Sequence, residues 1–164
     1  MTADGSLNIR PARPGEAGLV LAFVRELAEY EKLTHTVVAT EAVLDAVLFA
    51  EQPRVFCEFA EWNGEAVGFA VWLFDYSTFT GRHGIYLEDL FVRPAHRGKG
   101  IGKALMIHLA RQAVARGANN FQWSVLNWNT PSIDFYKSLG AAPLDGWTIY
   151  RVGGDALARL AARA

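Results

Sequence analysis

The chain has 164 residues, 51% hydrophobic and 20% charged, enough for one domain and too apolar for a disordered segment. Sixteen Lys and Arg against 17 Asp and Glu leave a formal charge of -1, which removes the electrostatic case for general nucleic-acid binding. The single cysteine, Cys57, excludes an internal disulfide and a multi-cysteine metal site, and it fits a reducing compartment.

The opening residues, Met1 to Ser6, lack the basic and apolar regions of a signal peptide. The longest uncharged apolar run, Ala66 to Phe74, falls far short of the ~20 residues that span a bilayer. The expectation is a soluble cytoplasmic protein: a single domain over residues 1–164, with a core at about 7–152. Leu7-Asn8-Ile9 alternates as a short strand. Leu19, Val20, Phe23, Val24 and Leu27 recur at helical spacing, which predicts a helix from Glu16 to about Leu33. Thr40 is a plausible N-cap for a second helix carrying Val43, Leu44, Val47 and Leu48.

Val55 to Trp62 and Ala66 to Tyr76 read as strands flanking Asn63-Gly64, a pair that tolerates the positive φ of a tight hairpin turn. Ile85 to Val92 reads as a buried strand. A glycine-rich turn then leads into a helix from about Gly100 to Arg116, and Phe121 to Leu126 is the next strand. Asn129-Thr130-Pro131 opens a helix with proline at its first position, and Gly140 stops it. Trp147 to Val152 reads as a last strand, and 155–163 as a tail helix. This order predicts an α/β fold: one mixed sheet with helices on both faces.

Arg97-Gly98-Lys99-Gly100-Ile101-Gly102-Lys103 carries the first chemical signal. Glycines let a ligand approach the backbone, the free N–H groups of a helix start attract anions, and three cations add charge. A phosphate or pyrophosphate is the ligand this favours; a glycine-rich helix start without a ligand is the alternative. The P-loop pattern fails, because three residues separate Gly98 from Gly102 and Ala104 follows Lys103. The dinucleotide pattern fails because its third glycine position is Lys103. His35, His83, His96 and His108 show no paired metal spacing, so no metal is expected; His96 reads as a surface residue.

Arg97-x-x-Gly100-x-Gly102 after Val92-Arg93-Pro94 resembles the acetyl-coenzyme A signature of the GNAT N-acetyltransferases. Further blocks resemble the spermidine/spermine (diamine) and thialysine branch of that family. They are Arg25 to Glu31, Tyr86 to Val92, Trp128 to Lys137, Leu139-Gly140-Ala141 and Gly146-Trp147, all in order. The resemblance implies a GNAT fold, with a mostly antiparallel sheet splayed at the strand Ile85–Val92. It also implies acetyl-CoA as co-substrate, a primary amine as acceptor and a homodimer.

Carried onto this chain, the resemblance makes Tyr136 the acid that protonates the leaving thiolate; a core tyrosine on the stripe of Ile133 and Leu139 is the alternative. Glu88 falls to the amine, as base through water or as electrostatic partner. Leu90, Phe91 and Val92 would hold the acetyl carbonyl and pantetheine. Arg97, Gly98, Lys99, Gly100, Ile101, Gly102 and Lys103, together with Asn129, Thr130, Pro131, Ser132 and Tyr136, would bind the coenzyme. Tyr30, Glu31 and Asp145 match substrate positions, in a shorter and less acidic loop around Asp145 than the branch carries.

Glu88 and Asp89 look like a carboxylate pair, yet on a regular strand they point to opposite faces, Glu88 with Tyr86 and Leu90, Asp89 with Leu87 and Phe91. Only a bulge would bring them together, so Asp89 is read as structural. Trp123 and Trp128 are read as packing. The implied function is acetyl transfer from acetyl-CoA to a diamine, polyamine or lysine-like acceptor. The alternatives are a protein or antibiotic amine as acceptor, or a non-catalytic acyl-CoA-binding protein.

Overall fold

Alternating strands need partners, and the computed structural model shows which ones find them. It describes residues 5–163, so the reading of the first residues falls partly outside it. Those residues divide into two units, one running to Ser124 and the other beginning at Val125.

In the first unit a five-stranded sheet runs in the order β1-β2-β3-β4-β5. Its strands are β1 (Leu7–Pro11), β2 (Val55–Trp62), β3 (Glu65–Ser77), β4 (Arg82–Val92) and β5 (Phe121–Trp123). Three pairings are antiparallel, and β5 alone pairs in parallel, along β4. The expected mixed, mostly antiparallel sheet is therefore present. The hairpin between β2 and β3 turns at Asn63 (φ 53°) and Gly64 (φ 83°), the two positive φ values this tight turn requires.

Helix α1 (Ala17–Tyr30) and helix α2 (Glu41–Leu48) lie on one face. There Val20, Phe23 and Leu48 pack with Cys57, Phe59, Phe69, Val71 and Phe91. Phe23 stacks on Phe69 with ring centroids 5.2 Å apart, and each such buried ring contributes roughly 2–3 kcal/mol. Thr40 caps α2 as expected, its hydroxyl accepting from Val43 N at 3.3 Å. Helix α3 (Ile101–Ala115) covers the other face, where Gln112 reaches the buried Glu58 at 3.0 Å. Glu58 lies between Cys57 and Phe59, so strand alternation turns it away from α1.

The predicted strand at Phe121–Leu126 is shorter in fact: β5 ends at Trp123, opposite Leu87. At the next residue β4 bulges, as set out below, and the parallel register is lost. The second unit contains α4 (Thr130–Ser138) and α5 (Gly154–Ala161). Asn129 caps α4 by accepting from Ser132 N at 3.3 Å, and Gly140, at φ 88°, follows its end.

Trp147–Val152 is not a strand, which corrects the sequence reading. Alternation supplies a strand's faces, but the ladder needs a second segment, and here none pairs with it. Its apolar side chains stay exposed, Trp147 at 78% and Tyr150 at 90%. Among the described residues no helix is long and apolar enough to cross a membrane.

Candidate active site

Strand β4 carries Glu88, Leu90, Phe91 and Val92, and its irregularity arranges the carboxylate. Against β3, Asp89 pairs with Val71 and Leu87 pairs with Trp72. Two consecutive residues of β3 thus face three of β4, and Glu88 is the extra one: a β-bulge. Asp89 shares the face of Val71 and Phe91, the α1 side of the sheet. Tyr86, opposite Leu73, lies on that same face, so alternation from Tyr86 sends Glu88 there too. The expectation that Asp89 goes with Leu87 and Glu88 with Leu90 is therefore overturned. The bulge shifts the alternation by one, and both carboxylates reach one side of the sheet.

Glu31, immediately after α1, completes an acidic trio. Burial pushes the Asp89 carboxyl up to about 7, and the negative charges of Glu88 and then Glu31 push it the same way. Glu31 itself is raised by burial. Glu88 is exposed, whereas Asp89 and Glu31 are half-buried. Sequence reading put Glu88 and Asp89 on opposite faces; the bulge that joins them shows only in the β3 register.

Tyr30 and Arg97 form the wall beside this trio. The Tyr30 ring lies 6.5 Å from that of Phe91. The Arg97 guanidinium sits 4.8 Å over Tyr30 and 5.3 Å over Phe91, while its Nε donates to the Val92 carbonyl at 2.9 Å. Arg97 thus ties the end of β4 to the end of α1.

Past β4, a one-turn 3-10 helix at Pro94–His96 leads into the glycine turn. His96 is half-buried and not a surface residue, with Nδ1 shielded from solvent. Gly98 (φ 76°) and Gly100 (φ 78°) take left-handed backbone, and Gly100 is the residue that opens α3 without a side-chain cap. A Cβ at either glycine would meet nothing within 4 Å, so conformation, not space, demands glycine there. The leading N–H groups of Ile101, Gly102 and Lys103 face out of the helix start, an anion-binding arrangement. Lys99 lies 5.2 Å over the Trp62 ring, a contact that sequence reading did not foresee. This turn fits the phosphates of a coenzyme.

Beside it, β4 pairs with β5 only over Ile85–Leu87. Leu90, Phe91 and Val92 thus run on beyond the last β5 partner, which is the expected splay. Among the described residues no group of three or more His, Cys, Asp or Glu side chains is arranged to hold a metal ion.

The remaining candidates lie in the second unit. Asn129 is buried, Thr130 and Pro131 start α4, and Ser132 N is its capped amide. Tyr136 is half-buried on α4, which has no fully buried residue, so it is not a deep core tyrosine. Trp128 is 50% exposed. Asp145 is exposed, in a turn where Trp147 N donates to the Leu144 carbonyl at 3.1 Å.

The model of the acetyltransferase (GNAT) family matches residues 22–141. A thialysine N-epsilon-acetyltransferase of Sus scrofa is 42% identical over 169 residues, covering 96% of this chain and 99% of that protein. An L-ornithine N5-acetyltransferase of Arabidopsis thaliana is 29% identical over 91% of this chain and 85% of its own length. Among solved structures, an integron cassette protein from the mobile metagenome of V. cholerae superposes with a TM-score of 0.82. It is 28% identical, over 96% of this chain and 99% of that one.

Proposed function

The chain belongs to the GNAT family of acetyltransferases, and from that premise we propose that it moves the acetyl group of acetyl-CoA onto the terminal amine of a small cationic acceptor. A diamino acid of the lysine, thialysine or ornithine type fits best, with diamines and polyamines in the same class. The single observation that carries the reading is the acidic trio of Glu31, Glu88 and Asp89, gathered by the β4 bulge on the strand that leads into the glycine turn. An ammonium-bearing substrate is what three carboxylates attract, and the names of the relatives point to the same class.

In this reading the glycine turn from Arg97 to Lys103 takes the pyrophosphate, and the backbone of Leu90 to Val92 takes the pantetheine and the acetyl carbonyl. The neutral amine attacks the thioester carbon directly, the C–S bond breaks, the Tyr136 hydroxyl gives its proton to the thiolate, and the proton shed by the newly acylated nitrogen restores the tyrosine by way of solvent. Glu88 and Glu31 hold the positive charge of the acceptor, with Tyr30 and Asp145 at its edges. Asn129 to Ser132 line the coenzyme. The two units act as one catalytic domain, a reading supported by a family match that runs across their boundary. We also place the enzyme in the cytoplasm as a homodimer; the exposed Leu144, Trp147, Ile149, Tyr150 and Val152 supply an apolar surface for a second copy to cover.

The test is acetyl-CoA consumption with thialysine, ornithine, spermidine and a simple monoamine, products identified by mass spectrometry. Wild type should acetylate the doubly charged acceptors best. Tyr136→Phe should lose on the order of 100-fold in turnover with coenzyme affinity retained. Absence of turnover with every amine would overturn the proposal.

A further inference from the structure

We propose that Asp89, and not its neighbour Glu88, takes the proton from the acceptor ammonium, leaving Glu88 and Glu31 to hold charge. The inference rests on the acetyl-transfer reading above and assigns one step within it. An alkyl ammonium has a pKa near ~10.4 and must lose a proton before its nitrogen can attack. An ordinary carboxylate, near ~4, is a poor acceptor for that proton; one poised near neutrality is a far better one.

Position separates the two residues. Glu88 is the extra residue of the bulge and is exposed. Asp89 is in register with Val71, on the face that carries Phe91, and half-buried. Phe91 and the Tyr30 ring, with the Arg97 guanidinium stacked across both, form an aromatic wall on that face. The ionisable groups around Asp89 are Glu88 and Tyr86 on its own strand, Cys57 on β2, and Tyr30 and Glu31 at the end of α1, with Arg97 over the rings. Burial and the two carboxylates all act on Asp89 in one direction, bringing it to about 7. The bulge adds Glu88 without displacing Asp89 from its place opposite Val71, so the two carboxylates meet on one face.

The step balances simply. The N–H bond of the ammonium breaks, an O–H bond forms on the Asp89 carboxylate, and the free amine keeps its electron pair for the thioester carbon. After acetyl transfer the proton leaves Asp89 to solvent.

The experiment is the pH profile of kcat/KM for the best amine in wild type, Asp89→Asn, Glu88→Gln and Glu31→Gln. Wild type should show an acid limb near pH 7. Asp89→Asn should lose that limb and on the order of 100-fold or more in kcat/KM. In Glu88→Gln and Glu31→Gln the limb should persist and move to lower pH, because a repelling negative charge is gone, whatever each variant loses in substrate binding. Should Asp89→Asn fold poorly, the downward shift in the two glutamine variants still decides. A limb retained in Asp89→Asn, or one abolished in Glu88→Gln and unmoved in Glu31→Gln, overturns the assignment while leaving acetyl transfer intact. A wild type inactive on every amine overturns the functional reading itself.

Discussion

Two charged clusters in the first unit use carboxylates in opposite ways. Beside the start of α1, Arg10 takes Glu16 and Glu61 together, each at 2.7 Å, and the charge of Arg13 acts on both carboxylates as well, so two cations face two anions. The Arg10 guanidinium, hydrogen-bonded to both, is held above its usual range, and both carboxylates are held below theirs. Beyond the end of the same helix, Glu31, Glu88 and Asp89 gather with their influences unbalanced, and Asp89 rises to about 7. A cluster that balances its charge internally contributes to stability. One that leaves charge of a single sign unbalanced costs stability and creates an attraction for something outside the chain. In the proposed function the glycine turn is the positive counterpart of the second kind, where helix N–H groups and lysines take an anion.

The largest way to break this contrast is at that turn. Gly100→Asp puts a side chain on left-handed backbone and a negative charge at the helix start. Acetyl-CoA binding by calorimetry should weaken by on the order of 100-fold or more; wild-type affinity would remove the phosphate role. In the balanced cluster, Arg10→Met leaves two carboxylates without the cation that hydrogen-bonds them both. That should cost about 2–3 kcal/mol, or roughly 5–10 °C in Tm, with kcat per folded molecule unchanged. Glu31→Gln should act in the opposite manner, sparing Tm while raising KM for doubly charged acceptors about 10-fold and leaving a monoamine nearly unaffected.

A smaller and sharper comparison is the pH dependence of stability. The lowered Glu16 and Glu61 contribute stability that is present above the ordinary carboxylate range near pH 4 and lost as pH falls through their depressed folded values. The raised Asp89 does the reverse. Its contribution is full below about pH 4, declines as pH rises, and is gone once pH passes through about 7. Chemical denaturation across pH 3–9 should show Asp89→Asn flattening the neutral side and Glu16→Gln the acid side. Identical profiles for the two variants would deny the distinction.

Much of this was legible in the residues. The Asn63-Gly64 hairpin, the Thr40 and Asn129 caps and the Gly98/Gly100 backbone follow from local chemistry, so composition at a few positions suffices to read them. Trp147–Val152 alternates like a strand and is not one, since pairing is a property of two segments. Asp89 was misread for a related reason. Period-two alternation assigns faces correctly until a residue is inserted into the ladder, and only the β3 register, Val71 to Asp89 and Trp72 to Leu87, shows that Glu88 is the insertion. The stacking of Arg97 on Tyr30 and Phe91 joins residues far apart in the chain and is likewise invisible to local patterns.

The contrast between balanced and unbalanced carboxylates is tested most directly by titrating the side-chain carboxyl carbons by 13C NMR, assigned with Asp89→Asn, Glu16→Gln and Glu61→Gln. The account predicts a midpoint near 7 for Asp89, falling to lower pH in Glu88→Gln, while Glu16 and Glu61 titrate below the usual carboxylate range. An Asp89 midpoint near ~4, in the ordinary range and indifferent to Glu88, would contradict it.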